Sequence, residues 1–294
     1  MRLTLLTTLT MIAFAANSVL NRMALTDGGI DAVSFGTIRL LSGALVLSVL
    51  VGMRGGGVGF VRSSRIPAVL ALVAYIYGFS LAYRSLDAGL GALILFGVVQ
   101  ITMFGGALAI GERPPAPRWL GAIMAFAGLV WLLWPGPTAT AVSLPHGFLM
   151  AVAGVGWGIY SLAGRGATNP LAATAGNFVA AAGLGLVLAL VLSAGAPAIP
   201  KPDGVFLAVF SGAVTSGLGY ALWYAILPQL APSVAAVAQL TVPILAMAGG
   251  AAFLGEALTV KFALAALLVL GGVGVSVIAW PVSHRQTGGP ADSG

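Results

Sequence analysis

Chemistry needs polar side chains, and this sequence places very few of them inside its apolar stretches. Arg39 is the clear ionisable case, about a third of the way into an apolar segment. A cation there has two readings. It partners a substrate carboxylate, or its stem snorkels so that the guanidinium reaches the interface or helix-end carbonyls. Glu112 and Glu256 stand where apolar segments end. They read as proton-coupling carboxylates or as structural corners accepting N–H bonds at the start of the next helix. His146 and His284 fall at a segment start and in the tail, and neither is placed as a proton relay.

Aromatic and amide groups supply the other candidates. Tyr75, Phe79 and Tyr83 recur every fourth residue and so share one helix face. Ser216, Tyr220 and Tyr224 repeat that spacing later in the chain, with Trp223 beside them. Two such stripes would hold an amphipathic solute by ring faces and phenol hydrogen bonds; packing or an interfacial belt is the other reading. Asn17 and Asn21 are one turn apart, and Gln100 and Gln239 lie within later segments. An amide in hydrocarbon must find a partner or a wet cavity, so interhelical bonding and substrate binding both stay open. Pro243 lacks an N–H, which frees the carbonyl of Gln239 four residues back and predicts a kink beside that amide. Trp157 and Tyr160 complete the set.

The elements that must carry these residues are membrane helices. Of 294 residues 59% are hydrophobic and 7% charged, with a mean hydropathy of +1.05. A soluble surface needs about a quarter charged residues. Ten segments are long and apolar enough to span: roughly 3–25, 32–52, 66–86, 88–111, 117–135, 146–166, 170–194, 204–227, 231–255 and 259–281. Gly- and Pro-rich breaks separate them, and residues 282–294 read as a disordered tail. The first segment reads as a retained helix, because Asn17 and Asn21 interrupt its apolar run and no cleavage site is evident. The expected fold is therefore all-α and polytopic.

The net charge of +6 does not point to nucleic acid, because basic residues are scattered at segment ends. They read as topology. One side would hold Arg2, Arg54, Arg62, Arg65, Arg113, Arg118, Arg165 and Arg285, and the other Arg22, Arg84, Lys201 and Lys261. Eight against four places both termini in the cytoplasm, in a multi-pass protein of the inner membrane. With no cysteine, two histidines and few carboxylates, a thiolate metal site is excluded and a lipid-modifying enzyme has little to build on. No Walker motif stands in the chain. No cofactor or metal is expected, and the partners are the bilayer and a small solute. A monomer is compatible with the sequence.

The chain repeats at half-length. Residues 105–112 read GGALAIGE and residues 249–256 read GGAAFLGE, an offset of 144. Gly128 and Gly272 continue it, while Tyr83/Tyr224 and Gly78/Gly219 match at 141. Each half holds five helices, so the second enters the membrane inverted, an architecture of secondary transporters. The units are 3–135 and 146–281.

On these residues the chain resembles the drug/metabolite transporter superfamily, EamA type. The resemblance is carried by Gly111-Glu112 with Gly121 and Gly128, and by Gly255-Glu256 with Gly271-Gly272. Pro243-Ile244 and Trp157-Gly158 match further motifs of the second repeat. The first repeat departs, with Val99 for the proline and Phe14-Ala15 for Trp-Gly. The overall likeness is greatest to YddG-type amino-acid exporters. It implies secondary export of amino acids, aromatic ones included, or similar small metabolites. A sugar-phosphate or nucleotide-sugar translocator shares the plan, but its substrates call for several intramembrane cations.

Overall fold

The computed structural model describes residues 1–26, 29–57, 65–109, 111, 114–134, 143–164, 167–192, 200–230, 238–239 and 241–278. Glu112, Arg165 and His284 lie outside them. Among the described residues every regular element is helical. The helices are α1 (Arg2–Thr26), α2 (Ala32–Met53), α3 (Ile66–Ala82), α4 (Ala88–Ala109), α5 (Ala116–Leu133), α6 (Leu144–Gly164) and α7 (Pro170–Leu192), then α8 (Pro202–Ile226), α9 (Thr241–Leu254) and α10 (Val260–Ile278). Six of them, α1, α2, α4, α6, α7 and α8, are long and apolar enough to cross a membrane; the rest are shorter apolar helices.

Local chemistry sets several boundaries. Asp31 caps α2, its carboxylate accepting from the N–H groups of Val33 at 2.9 Å and Ser34 at 3.0 Å. Proline opens α3, α5 and α8, where a missing N–H costs nothing. The repeated Gly-Glu corners share a backbone feature: Gly111 has φ +82° and Gly255 φ +65°, a left-handed turn that glycine enters without strain.

The outer faces are the reverse of a soluble protein's. Leu45, Val49, Phe126, Leu190, Phe206 and Leu267 stand exposed on helix exteriors, as a lipid-facing surface requires. Inside, close contact comes from small residues. A Cβ at Gly156 of α6 would lie 2.6 Å from the Ala71 carbonyl of α3, so only glycine lets these backbones meet.

Helix ends gather in two layers. The far end, opposite the N terminus, joins Gly29 to Lys201 through a 2.6 Å backbone bond and Lys201's neighbour helix to α1 and α2. There too Lys261 Nζ donates to the Trp134 carbonyl at 2.8 Å. The near end brings Gly164 against the Tyr224 hydroxyl.

Helices α5 and α10 pack on each other with a matched geometry. A Cβ on Gly128 would meet Ala265, Leu268 and Val269, and one on Gly272 would meet Gly121, Met124 and Ala125. Each of the second set lies 144 residues before its counterpart in the first.

Candidate functional site

The bundle's centre is a small aromatic chamber. Its walls are Phe14, Asn17 and Ser18 of α1, Tyr75 and Phe79 of α3, Leu95 and Phe96 of α4, Trp157 of α6 and Tyr220 of α8. Ring contacts make it continuous. Trp157 stands 5.0 Å from both Tyr75 and Tyr220, and Phe14 meets Trp157 edge-on at 6.2 Å and Tyr220 at 5.6 Å. The enclosed space is about 10 Å³, about what one water needs.

Arg39 sits behind that wall rather than in it. It is fully buried in α2. Its Nε donates to Ser216 Oγ at 2.9 Å and its Nη2 to Tyr75 Oη at 3.0 Å. The guanidinium lies over the Phe79 ring at 5.0 Å and the Tyr75 ring at 5.4 Å. Its Nη1 has no partner, and no carboxylate among the described residues pairs with it. The side chain does not snorkel; it reaches the chamber through Tyr75.

The network presents donors. Tyr75 Oη accepts from Arg39 and from the Tyr220 hydroxyl at 3.4 Å, which leaves its own O–H to point elsewhere. Asn17 Oδ1 accepts from Ser211 Oγ at 2.8 Å and Thr215 Oγ1 at 2.5 Å. The oxygen is therefore turned to α8, and the N–H₂ group is what the amide has left to offer. Ser211, Thr215 and Ser216 all belong to a π-helical stretch, Ser211–Leu218, in the middle of α8. Such irregular turns re-aim side chains at functional sites.

The remaining candidates fall elsewhere. Asn21 Nδ2 donates to Ser80 Oγ at 3.1 Å, an interhelical bond. Tyr83 is buried, stacks edge-on with Phe79 at 4.7 Å and donates to the Ala88 carbonyl. Trp223 backs Phe14 at 5.9 Å. Tyr160 leans on Trp157 at 5.7 Å but lines a separate near-end cavity with Tyr224. Gln100 and Gln239 are half-buried and are not among the residues lining the chamber. Pro243 is the third residue of α9, and Leu240, between it and Gln239, lies outside the described residues. His146 Nδ1 shares a 2.7 Å bond with Ser143 at the start of α6.

Sequence reasoning passed over Phe14, Ser18, Leu95, Phe96 and the Ser211/Thr215 pair. A signal for Phe14 was present: it is the equivalent of Trp157 at offset 143. The π-helical stretch has no comparable sequence mark.

Polar contacts join the helix ends at the far side of the bundle. Both carboxylate oxygens of Glu256 accept from the Ala88 N–H at 2.8 Å, capping α4. Glu256 thus caps α4 and not, as the sequence predicts, the start of the next helix, α10. Arg22 Nε stands 3.7 Å from Glu256 and Nη2 3.6 Å from Asp87, while Nη1 donates to the Tyr83 carbonyl at 3.0 Å. A Cβ at Gly250 would occupy the place of the Glu256 carboxylate, so glycine at this position makes room for the cap. Burial pushes the Glu256 carboxyl above its usual range, against the pull of the Ala88 amide and Arg22. Alongside lies an open cavity of about 500 Å³ with Asp87, Glu256 and Lys261 on its walls and none of the aromatic candidates.

Comparison with known proteins decides the family. Residues 146–278 match the EamA-like transporter family. The uncharacterized protein PA1977 of Pseudomonas aeruginosa is 46% identical over 278 residues, covering 92% of this chain and 93% of that protein. The chain belongs to the EamA-like transporter family. The uncharacterized transporter YoaV of Bacillus subtilis is 22% identical over 256 residues, covering 83% of this chain and 86% of that one. A crystal structure 19% identical in sequence superimposes with a TM-score of 0.66, over 94% of this chain and 96% of its own, and shows the same fold. An EamA-like protein is a polytopic membrane protein of a family that transports small molecules.

Proposed function

We propose that this EamA-like protein is a secondary exporter of amino acids, aromatic ones included, or of similar small metabolites across the cytoplasmic membrane, as in YddG-type exporters. The observation that carries the reading is the uncompensated Arg39 behind a donor-lined aromatic chamber. A buried cation without a carboxylate raises the potential of the space beside it, so the missing negative charge is best supplied by a ligand. Tyr75 O–H and the Asn17 amide offer hydrogen bonds to a carboxylate. The rings of Phe14, Phe79, Phe96, Trp157 and Tyr220 take an apolar or aromatic side chain. A sugar phosphate or nucleotide sugar would bring two or more negative charges to one Arg, which disfavours it.

Transport then runs by alternating access of two inverted five-helix repeats, 3–135 and 146–281. The packing network supports this. Exchanging α1–α5 with α6–α10 maps the α3–α6 contact onto α8–α1, α4–α6 onto α9–α1 and α2–α8 onto α7–α3. The pairs α2–α7, α4–α9 and α5–α10 map onto themselves. The matched surroundings of Gly128 and Gly272 are what a two-fold axis through α5–α10 produces. The near end is the cytoplasmic side in this reading, from the arginine count. Among the described residues no carboxylate lines the chamber, and in this reading the substrate gradient drives export.

Counterflow in proteoliposomes tests the reading. Vesicles preloaded with unlabelled L-phenylalanine or L-leucine should accumulate the labelled solute transiently, and Tyr75→Phe should slow this at least about tenfold. Equal rates in protein-free vesicles would end the assignment.

A further inference from the structure

A second cavity lies at the near end of the bundle, between α3, α6, α7 and α8. It holds about 250 Å³, enough for a free amino acid. Its walls include Arg65, Tyr160, Gly164, Thr174, Asn177 and Tyr224. Tyr160 Oη lies beside the Asn177 and Thr174 side chains, but neither it nor Asn177 Oδ1 makes a well-formed hydrogen bond, and both atoms are buried. Leaving such groups unpaired costs about 1–3 kcal/mol each, so a fold retains them where something else bonds them. Thr174 Oγ1 donates to the Pro170 carbonyl at 2.8 Å, so its oxygen too is left to accept.

Charge is distributed to match. Arg65 is the charged residue on the wall, and no carboxylate lines the cavity among the described residues. One part therefore accepts hydrogen bonds, through Asn177 Oδ1 and Thr174 Oγ1, and another carries a cation. Tyr160 also touches Trp157, which walls the central chamber. The two spaces are separated by that stacked pair.

We propose that the near-end cavity is a second substrate site, a waiting station for a zwitterion before it enters the central chamber. The ammonium bonds Asn177, Thr174 and Tyr160, and the carboxylate faces Arg65. This deepens the amino-acid reading and rests on it. Rotation of the Trp157–Tyr160 pair passes the solute inward, where the carboxylate exchanges Arg65 for the Tyr75–Arg39 pair.

Equilibrium binding to the purified full-length protein tests this, with labelled L-leucine, 4-methylpentanoate (no ammonium) and 3-methylbutylamine (no carboxylate) as probes. Wild-type protein should bind two L-leucine molecules per chain. Asn177→Leu and Arg65→Gln should each lose one, and Tyr75→Phe should lose the other. Asn177→Asp should gain about tenfold in affinity for 3-methylbutylamine, because a charge-assisted bond replaces a neutral one; a misfolded variant cannot show that gain. Wild-type stoichiometry in Asn177→Leu overturns the site. Leucine counterflow with one molecule bound per chain means that water alone satisfies Tyr160 and Asn177: the second site falls and the transport reading stands. Neither binding nor counterflow with leucine or phenylalanine overturns both.

Discussion

Arg39 donates through Nη2 to the Tyr75 hydroxyl at 3.0 Å, and this bond ties α2 to the wall of the central chamber. In the proposed reading Arg39 is a positioning residue and Tyr75 is the group that meets the solute. No carboxylate among the described residues neutralises Arg39, so removing it relieves a desolvation cost that offsets the lost bonds to Ser216 and Tyr75. Arg39→Met is expected to melt at or above wild type in detergent while losing about ten- to a hundredfold in substrate affinity. Arg39→Lys should not restore binding, because a single ammonium cannot reproduce the fork that reaches both Ser216 and Tyr75. Thermal unfolding and substrate binding, measured together on both variants, check this. A large drop in melting temperature for Arg39→Met would mean the residue's role is structural.

The Glu256 cap predicts a pH dependence. Its carboxyl is raised above the ordinary value of 4.5 by burial, so the folded state holds the proton more tightly than the unfolded chain. This contribution to stability is complete below the unfolded value and is lost as pH rises through the folded one. Wild-type protein should therefore lose melting temperature relative to Glu256→Gln as pH climbs from about 4.5. The two curves should run parallel at higher pH. Parallel curves across the whole range would show that the Ala88 amide and Arg22 offset the burial completely.

The α5–α10 seam yields a comparison between equivalent sites. A Cβ on Gly272 would approach backbone atoms, the Gly121 carbonyl at 2.6 Å and the Ala125 nitrogen at 2.8 Å. A Cβ on Gly128 would first meet the Val269 side chain at 2.9 Å, which can shift. Gly272→Ala should thus cost more than Gly128→Ala, about 1–3 kcal/mol against less than that. Denaturation in mixed micelles reads the difference. Reversal of the order would show that α10 relaxes along its axis more readily than a valine turns.

How much of this was legible in the sequence depends on which forces fixed it. The helices were readable because hydrocarbon admits only backbone that bonds within itself, and runs such as 88–109 leave no other option. The stripe Tyr75–Phe79–Tyr83 was readable from its four-residue spacing, yet its members diverge in role. Tyr75 and Phe79 face the chamber, while Tyr83 caps the far end by bonding Ala88. That split depends on depth, which periodicity does not encode. The burial of Arg39 was not readable either. Snorkelling and inward reach demand the same residue type, and the partners that decide it, Tyr75 and Ser216, lie 36 and 177 residues away. Glu256 was recognised as a corner, but its target, 168 residues earlier, follows from how the halves meet.

Orientation is the remaining prediction, and the absence of cysteine makes it simple to test. Near-end connections carry most of the arginines, so they should face the cytoplasm. Ser85 lies exposed at the far end and Arg54 exposed at the near end. Single replacements Ser85→Cys and Arg54→Cys each introduce the sole thiol of the chain. A membrane-impermeant maleimide applied to intact cells should label the first and spare the second, and permeabilisation should expose both. Ser85 also borders the open far-end cavity. Its labelling should therefore persist with substrate present. Labelling of Arg54→Cys in intact cells, with Ser85→Cys protected, would invert the topology. It would turn the near-end cavity from the entrance of an exporter into its exit.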